Sequence, residues 1–493
     1  MRYYTEMTSV QQHLEGVSSS PRTPYRVTLA VLTLAATSYA LLQSLVLPTL
    51  PELQRSLHVS EATVSWILTA YLLSASVATP IIGRLGDMYG KERVLVIVLA
   101  MLAVGTLISA LASSIAPMLL GRVIQGAGGG IFPLGFGIIR DEFPPREVAR
   151  GIGLMSSLIG VGGGAGVVLA GLIVERVSYH WLFWVPLMFI LPAAIAAHVF
   201  VPESPVKVPG RVNWPAAALM SAGLTALLVG VTETTQWGWT SPKTLTTIAL
   251  GLGLLAWWIA REATARVPLV DMRIMRQRAV WTTNLVAFLI GVGMYSSFLL
   301  IPAFVQAPRS SGYGFGASVL GSGIYLAPCT ITMLLVGQFT GVLDRRIGSR
   351  ASLILGTGCC LVAYAILAST PQFAGLVYLS SAILGAGIGL AFAALANVIV
   401  QNVRQDQTGV ATGMNTVMRT LGGALGGQIV ASLLARDIGP AGLPTADAFA
   451  LAFGLCAAVL VVGIAAGLLI PSRARRAMGP IASARVAVEA ADV

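Results

Sequence analysis

The stretch GRLGDMYGKERVL (Gly83–Leu95) decides how this chain is organised, because it is a short charged turn between two long apolar runs. Each run, residues 62–82 and 94–112, is long enough to cross the roughly 30 Å hydrocarbon core of a bilayer. A polar turn between two such helices must lie at a membrane surface, since backbone groups within hydrocarbon have no water to bond. Basic residues outnumber acidic ones in this turn, and positive charge concentrates on the cytoplasmic side of membrane proteins. The stretch therefore predicts a helical hairpin whose turn faces the cytoplasm.

The composition of the whole chain predicts an all-α polytopic membrane protein. Its 493 residues are 56% hydrophobic and only 10% charged, whereas a soluble domain is typically about 25% charged. Apolar runs of membrane-spanning length predict fourteen transmembrane helices, at residues 27–49, 61–83, 93–113, 117–139, 151–174, 181–201, 213–232, 243–260, 280–304, 317–343, 351–369, 373–397, 408–434 and 447–470.

The distribution of basic residues supports this topology and excludes nucleic acid as the reason for the net charge of +11. With the N-terminus inside, 24 of the 31 Lys and Arg residues fall at cytoplasmic positions. That bias is the positive-inside rule, and it places both termini in the cytoplasm. Arg greatly outnumbers Lys, which is typical of a GC-rich bacterial genome, so we expect a multi-pass protein of a bacterial inner membrane.

The segment between the sixth and ninth spans divides the chain into two halves. Without the spans at 213–232 and 243–260, six spans remain on each side, and each half has a charged cytoplasmic turn after its second span. In the second half this turn is GVLDRRIGSR (Gly341–Arg350), which carries Asp344. Repeated halves are typical of transporters with a substrate site at the repeat interface. The predicted organisation is an N-terminal tail (1–26), a six-helix half (27–201), a two-helix insertion with linkers (202–279), a second six-helix half (280–470) and a C-terminal tail (471–493).

With these features, the chain resembles the major facilitator superfamily, and within it the fourteen-span drug:proton antiporter branch. The resemblance covers nearly the whole chain. It is carried by GRLGDMYGKERVL, by LLGRVIQGAGGG (Leu119–Gly130), by GVGGGAGVVLAG (Gly160–Gly171), by ETTQWGW (Glu233–Trp239) and by phrases within Ala394–Gly427. The resemblance implies two six-helix halves plus two extra central helices, alternating access, and export of small molecules in exchange for protons.

The charged turn is the predicted cytoplasmic gate. Gly83 and Gly90 allow close backbone approach where one helix ends and the next begins. Asp87, at a helix end, can accept bonds from a neighbouring helix N-terminus or pair with an arginine such as Arg140. The alternative is a solvated loop that only sets topology. The candidate gating residues are Gly83, Asp87, Gly90, Lys91, Arg93, Arg140 and Asp344.

Two arginines lie within predicted spans. A lone arginine in hydrocarbon costs from about 2.5 to more than 10 kcal/mol, so Arg122 is expected to face the bundle interior. The resemblance associates it with proton coupling, while a structural clamp on a carbonyl remains open. Arg419 is its counterpart in the second half, and anion binding, pairing with a carboxylate and helix packing are all open for it. The candidate coupling residues are Arg122, Gln125, Gly126 and Arg419.

The fifth span contains a glycine run that predicts a pliable helix between the halves. Small residues let membrane helices approach closely, so simple packing would also explain them. The antiporter branch has a Gly-Pro pair here, whereas this chain has Gly166-Val167. The candidate hinge residues are Gly160, Gly162, Gly163, Gly164, Gly166 and Gly171.

All twenty carboxylates fall in loops, tails or span ends. The branch commonly has an aspartate and an asparagine in its first span, but the stretch SYALLQSLVLP has Tyr39 and Ser44 at the matching positions. This argues against a strongly cationic substrate and leaves the proton-carrying acid unidentified. Aromatic and neutral polar residues remain for recognition, although packing or lipid contact would also explain each of them. The candidates are Tyr39, Gln43, Trp66, Tyr71, Trp184, Asn284, Tyr295 and Asn415.

These features predict a secondary transporter that exports hydrophobic or amphiphilic small molecules, by proton antiport and without a cofactor. No Gly-x-x-x-x-Gly-Lys-(Ser/Thr) motif is present, which argues against ATP-driven transport by this chain. The four histidines are scattered and the four cysteines lack metal spacing, so we expect neither an enzyme nor a metal site. The main alternative is an exporter or facilitator of one specific metabolite without proton coupling, and a polytopic membrane enzyme or sensor is the least favoured alternative. The expected partners are the bilayer, a small-molecule substrate and protons, and we expect a monomer.

Overall fold

A computed structural model describes residues 24–46, 49–204, 207, 212–439 and 442–471. Most of the two predicted tails lies outside these ranges. Within the described residues the regular secondary structure is helical, apart from one isolated bridge between Ile438 and Pro444. This agrees with the predicted all-α class.

The helices are α1 (Tyr25–Val46), α2 (Leu50–Leu57), α3 (Glu61–Tyr89), α4 (Lys91–Leu111), α5 (Ile115–Gln125), α6 (Ile131–Glu142), α7 (Pro145–Arg176), α8 (Trp181–Phe200), α9 (Trp214–Thr232), α10 (Thr234–Trp237), α11 (Pro242–Thr264), α12 (Met272–Met275), α13 (Arg278–Gln306), α14 (Val319–Ile347), α15 (Ser349–Ala368), α16 (Ala374–Asn402), α17 (Thr408–Arg436) and α18 (Ala446–Leu468). Short 3₁₀ turns cover Gly126–Gly130, Arg309–Ser311 and Gln405–Gln407.

Thirteen segments among the described residues are long and apolar enough to cross a membrane. They correspond to thirteen of the predicted spans, with the fourth span formed by α5, a 3₁₀ turn and α6 together. The remaining predicted span, 151–174, lies within the 32-residue helix α7 and contains no charged residue. The predicted polytopic membrane fold is therefore confirmed.

The fourth span is not the continuous helix that the sequence suggests. Five consecutive residues, GAGGG (Gly126–Gly130), form a 3₁₀ turn between α5 and α6. Gly126 and Gly130 lie directly against α3, where a Cβ on Gly126 would overlap Ser74 and one on Gly130 would overlap Ile82. The break thus lets two helices pack more closely than side chains would permit.

Each half has one large cluster of buried apolar residues. The first contains residues between Val31 and Val201 together with Ala396 and Val400 of α16, and the second contains residues between Val286 and Ile470. Two helix pairs, α3 with α17 and α7 with α14, make the main contacts between the halves. The helices of the insertion, α9 and α11, pack on each other, and α9 packs in turn against α3 and α17. Trp239 lies at the predicted outer end of this insertion, where its Nε1 donates to Ser432 Oγ at 2.7 Å.

Close packing between α7 and α14 depends on small residues near the predicted cytoplasmic side. A Cβ on Gly153 would lie 2.6 Å from the carbonyl oxygen of Gly337. A Cβ on Gly341 would lie 2.9 Å from the backbone nitrogen of Arg150. The backbones of the two halves are therefore in direct contact at this crossing.

The predicted hinge glycines all lie in α7 but have different neighbours. Gly162 and Gly166 face α1 of the same half, packing on Ala40 and Ser44. Gly171 faces Leu320 of the opposite half at an ordinary van der Waals distance, with its Cβ position 3.9 Å away. The surroundings of Gly160, Gly163 and Gly164 lie outside what the structure describes, and the hinge role stays a prediction.

Candidate functional site: a gate between the halves and a central cavity

Asp87 links the two halves at the predicted cytoplasmic side. Its side chain is 0% exposed, and its two carboxylate oxygens accept hydrogen bonds from the first turn of α17. Gly409 N donates to Oδ1 at 3.3 Å and Val410 N donates to Oδ2 at 3.2 Å. A helix N-terminus has unpaired N–H groups and a positive dipole end, which makes it a suitable partner for a carboxylate. This is one of the two contacts that the sequence suggested for Asp87.

The contact requires glycine on both helices. A Cβ on Gly83 would overlap the carbonyl of Gly409, and a Cβ on Gly409 would lie 2.6 Å from Gly83 O. It would also lie 3.0 Å from Asp87 Oδ1. One turn of α3 and one turn of α17 thus meet backbone to backbone, and Asp87 lies at the end of this crossing.

A buried ion pair lies beside Asp87. Lys91 Nζ contacts Asp141 Oδ2 at 2.7 Å and Asp87 Oδ1 at 3.8 Å, and all three side chains are 0% exposed. Ser204 donates a further hydrogen bond to Asp141. Sequence reasoning missed Asp141, although its position next to Arg140 at the end of a span was a signal. The pair joins the start of α4 to the end of α6, directly beside Asp87 at the end of α3.

Arg140 is the second link between the halves, but it does not bind Asp87 as the sequence suggested it could. Its guanidinium donates to the carbonyl oxygens of Arg404 at 3.1 Å and Val403 at 2.8 Å, and to Thr408 Oγ1. Those acceptors lie at the end of α16 and the start of α17. Arg140 therefore supplies donors to a helix C-terminus while Asp87 supplies acceptors to the next helix N-terminus.

The corresponding turn of the second half behaves differently. Asp344 Oδ2 accepts bonds from Ser349 Oγ and Asn397 Nδ2, both at 2.8 Å and both within its own half. The neighbouring Arg345 does reach across, donating to the carbonyl of Arg146 at 3.1 Å. Asp344 therefore occupies the same position in the repeat as Asp87, but it bonds within its own half, whereas Asp87 bonds the opposite half.

Gly90 and Arg93 have local roles in the first turn. Gly90 has φ of 113°, and a Cβ there would run into the carboxylate of Glu203. Arg93 is largely exposed and lies 3.5 Å from the same carboxylate. Exposed pairs of this kind contribute about 0 to 1 kcal/mol, so the pair of Arg93 with Glu203 adds little to stability.

Arg122 lies deep in the N-terminal half and is 1% exposed. Its Nη1 donates to Gln125 Oε1 at 2.8 Å, and Gln125 Nε2 donates to Ser109 Oγ at 3.1 Å. The guanidinium carbon lies 5.3 Å from the ring centroids of both Tyr71 and Phe183. No carboxylate of the described residues pairs with it, so aromatic faces and one amide provide most of its stabilisation.

A small cavity lies between the halves at the centre of the molecule. Its volume is about 30 Å³, and both halves contribute to its wall. Gln43 of α1 and Tyr295 of α13 meet there, with Gln43 Nε2 donating to the tyrosine hydroxyl at 3.3 Å. Among the candidate residues of the sequence analysis, the structure brings Tyr39, Gln43, Tyr295 and Arg419 to this wall, together with Leu72, Ala75, Gly129, Phe132, Ile159, Thr416 and Thr420.

The other candidate cavity residues lie elsewhere. Tyr71 packs between Tyr39 and the Arg122 guanidinium, one layer behind the wall. Asn415 Nδ2 donates to Asn284 Oδ1 at 2.9 Å, which joins α17 to α13 within the second half. Trp184 packs against the core of the first half, and Trp66 is half-buried on α3.

The match to known proteins agrees with this architecture. The model of the Major Facilitator Superfamily matches residues 32–427. The chain belongs to the major facilitator superfamily. It is thus a multi-pass membrane transporter and not an enzyme, as the sequence predicted, since the family and the relatives below are transporters.

Two bacterial relatives carry names that concern drug resistance. The chain is 26% identical to the tetracenomycin C resistance and export protein of Streptomyces glaucescens, over 82% of this chain and 76% of that protein. It is 26% identical to a multidrug resistance protein B homolog of Mycobacterium tuberculosis, over 71% of this chain but only 65% of the relative's length. The crystal structure of human MFSD10, an organic anion transporter, aligns with a TM-score of 0.67 over 90% of this chain and 100% of that one, at 18% identity. This last likeness shows the fold alone.

Proposed function

We propose that this protein exports hydrophobic or amphiphilic small molecules from a bacterial cell, by proton antiport with alternating access. In this proposal it belongs to the fourteen-span drug:proton antiporter branch and lies in the inner membrane with both termini in the cytoplasm. The names of its bacterial relatives support drug or metabolite export. The same proposal treats the protein as a functional monomer, because each chain has both halves of the cavity.

The observation that carries the proposal is the bonding of Asp87 to the first turn of α17. This contact joins the two halves through hydrogen bonds and closely packed glycines. Such a contact can break and reform as a unit when the halves rotate. In the conformation described, the predicted cytoplasmic side is closed, and opening it requires separation of α3 from α17.

The size of the central cavity supports the same cycle. Small-molecule sites usually have volumes of roughly 300–1,000 Å³, which is far above the roughly 30 Å³ found here. A drug-sized substrate therefore requires the halves to move apart. The aromatic wall, which includes Tyr39, Phe132 and Tyr295, then offers flat apolar surfaces with hydroxyl groups at their edges.

Proton coupling would involve Arg122 and its neighbours Gln125 and Gly126. Arg122 is a buried cation with two unbonded nitrogens, Nε and Nη2. If this cation moves or its environment changes during the transport cycle, the pKa of nearby proton-exchanging groups changes with it.

The second candidate, export without proton coupling, is favoured by one observation. The residues found to line the central cavity include no aspartate or glutamate.

Proteoliposomes test both candidates. The full chain is reconstituted with an imposed pH gradient, and dissipation of the gradient is followed as lipophilic compounds are added one at a time. We expect at least one compound to accelerate proton flow in proportion to its own transport. The variant Arg122→Gln should uncouple the two fluxes, whereas Arg176→Gln, which changes an exposed arginine at the outer end of α7, should not. Compound transport without proton flow would support the second candidate, and no transport of any compound by folded protein would contradict both.

The predicted orientation has a separate test. A reporter that is active only in the cytoplasm, fused after Val493, should be active in cells. Activity of a periplasmic reporter at the same position would contradict the fourteen-span topology.

A further inference from the structure

Arg419 is a partly buried cation that faces the central cavity, and no acidic side chain among the described residues pairs with it. It belongs to α17 and forms part of the cavity wall. Its guanidinium carbon lies 4.5 Å from the ring centroid of Phe392, and its Nε has no hydrogen-bond partner. The ion pairs of the described residues include none that involves Arg419.

The rest of the cavity wall does not neutralise this charge. Its polar members are two tyrosines, one glutamine and two threonines, and all of them are uncharged. The hydroxyls of Thr416 and Thr420 already donate to backbone carbonyls of α17 at 3.1 Å. A ring face such as that of Phe392 compensates a guanidinium only in part. The cavity therefore carries one net positive charge in a medium of low dielectric constant.

Arg122, the other arginine within a span, differs from Arg419 in this respect. It lies between two aromatic rings and bonds Gln125, and it is not among the residues of the cavity wall. Arg419 is therefore the cation that a bound molecule can reach. An anion there would form charge-assisted hydrogen bonds, whereas a cation would be repelled at short range.

We propose that the substrate is an amphiphilic anion, in which an aromatic body carries a carboxylate or phenolate group. The anionic group pairs with Arg419, and the rings pack against Tyr39, Phe132 and Tyr295. This inference rests on the proposed export function and names its substrate class. It also gives a reason for the absence of a carboxylate from the cavity wall, since a carboxylate there would compete with the substrate for Arg419.

The charge of the substrate has a consequence for the driving force. Export of a monoanion moves negative charge out of a cell whose interior is negative, so the membrane potential itself favours the step. Each 100 mV supports a concentration ratio of about 50-fold for a singly charged species. Export of such a substrate is then driven by the potential even where no proton is exchanged.

Three head groups on one aromatic scaffold test the proposal. The probes are naphthalene-2-carboxylate, naphthalene-2-carboxamide and 2-naphthyltrimethylammonium, with the three anthracene analogues as a larger series. Binding to the full chain in nanodiscs and transport in proteoliposomes are both measured. We expect the carboxylate to bind at least tenfold more tightly than the carboxamide, and the ammonium compound to bind most weakly. An inside-negative potential should accelerate carboxylate efflux more than carboxamide efflux, because the carboxylate carries one additional negative charge outward.

Variants assign the preference to one residue. Arg419→Gln should reduce the carboxylate-to-carboxamide affinity ratio from at least tenfold to about one, whereas Arg419→Lys should keep most of it because the charge remains. Arg436→Gln is the matched control, since Arg436 is exposed at the far end of the same helix. Gel filtration and thermal unfolding of each variant verify folding.

The outcomes separate this inference from the proposed function. Transport of carboxamide or ammonium probes without preference for the carboxylate would overturn the anionic substrate and leave the export function standing. An unchanged ratio in Arg419→Gln would overturn the role of Arg419. No transport of any probe in either series by folded protein would count against the proposed function, and the inference would fall with it.

Discussion

Replacement of Asp87 by asparagine should open the predicted cytoplasmic side of this transporter. In the structure, the carboxylate accepts bonds from Gly409 N at 3.3 Å and Val410 N at 3.2 Å, at the N-terminus of α17. Each hydrogen bond to a charged group contributes about 1.5 kcal/mol at the lower end of the usual range, which suits these lengths. The two bonds together contribute about 3 kcal/mol. The amide of asparagine keeps one oxygen acceptor, whose single bond contributes about 1 kcal/mol, so the substitution removes about 2 kcal/mol. Loss of the favourable charge at the helix dipole adds about 0.3 to 1 kcal/mol.

A loss of about 2 to 3 kcal/mol changes the ratio of closed to open states by roughly 30- to 150-fold. Distances between spin labels provide the assay. One label is placed at Tyr89 at the end of α3 and one at Ile347 at the end of α14, both of which are exposed. The four native cysteines, which are all free, are replaced by alanine. We expect Asp87→Asn to shift the distance distribution in a nanodisc toward the longer, open population.

The repeat offers a matched control for this experiment. Asp344 occupies the corresponding turn, but its bonds to Ser349 and Asn397 remain within one half. Asp344→Asn should therefore leave the same distance distribution unchanged. If both variants, or neither, shift the distribution, then the bond between Asp87 and α17 is not what holds this side closed.

Three further substitutions test the glycine packing and the buried ion pair beside this gate. Gly83→Ala places a methyl group against the carbonyl of Gly409, so it should also favour the open state in the distance assay. Gly427→Ala is the control, because nothing lies within 4 Å of the added Cβ, and it should leave the distances unchanged. A shift in the distances of this control variant would contradict the steric argument. Lys91→Met leaves the carboxylate of Asp141 buried without a charged partner, which should destabilise the protein by about 3 to 5 kcal/mol. A thermal unfolding midpoint equal to that of the unchanged protein would show that this buried pair contributes little.

Part of the gate was predictable because it depends on local sequence. The pattern of glycine and charge in Gly83–Leu95 marked a helix end, and a carboxylate at a helix end has few suitable partners within a membrane. The sequence suggested either a helix N-terminus or an arginine for Asp87, and the structure contains the first. The buried pair of Lys91 and Asp141 was missed, because the position of Asp141 at a span end marks it as a candidate but does not indicate which helix end it will meet.

The cavity was less predictable than the gate. Tyr39, Gln43, Tyr295 and Arg419 meet at its wall, whereas other aromatic and polar candidates pack behind it or within one half. Every helix in the bundle is apolar on most sides, so the pattern of hydrophobicity does not indicate which face points to the centre. The break at Gly126–Gly130 was missed for a similar reason, because glycines in a span are compatible with a continuous helix.

The sequence by itself determined that this chain crosses a membrane many times as helices, and it predicted which side its charged turns face. Both properties follow from local quantities, namely the length of each apolar run and the number of basic residues beside it. Only the tertiary structure decided that Asp87 meets backbone groups 322 and 323 residues further along the chain, and that Arg419 reaches the cavity without an acidic partner. Those contacts depend on the rotation of each helix about its axis and on which helices pack together. Both are set by close packing between residues far apart in sequence.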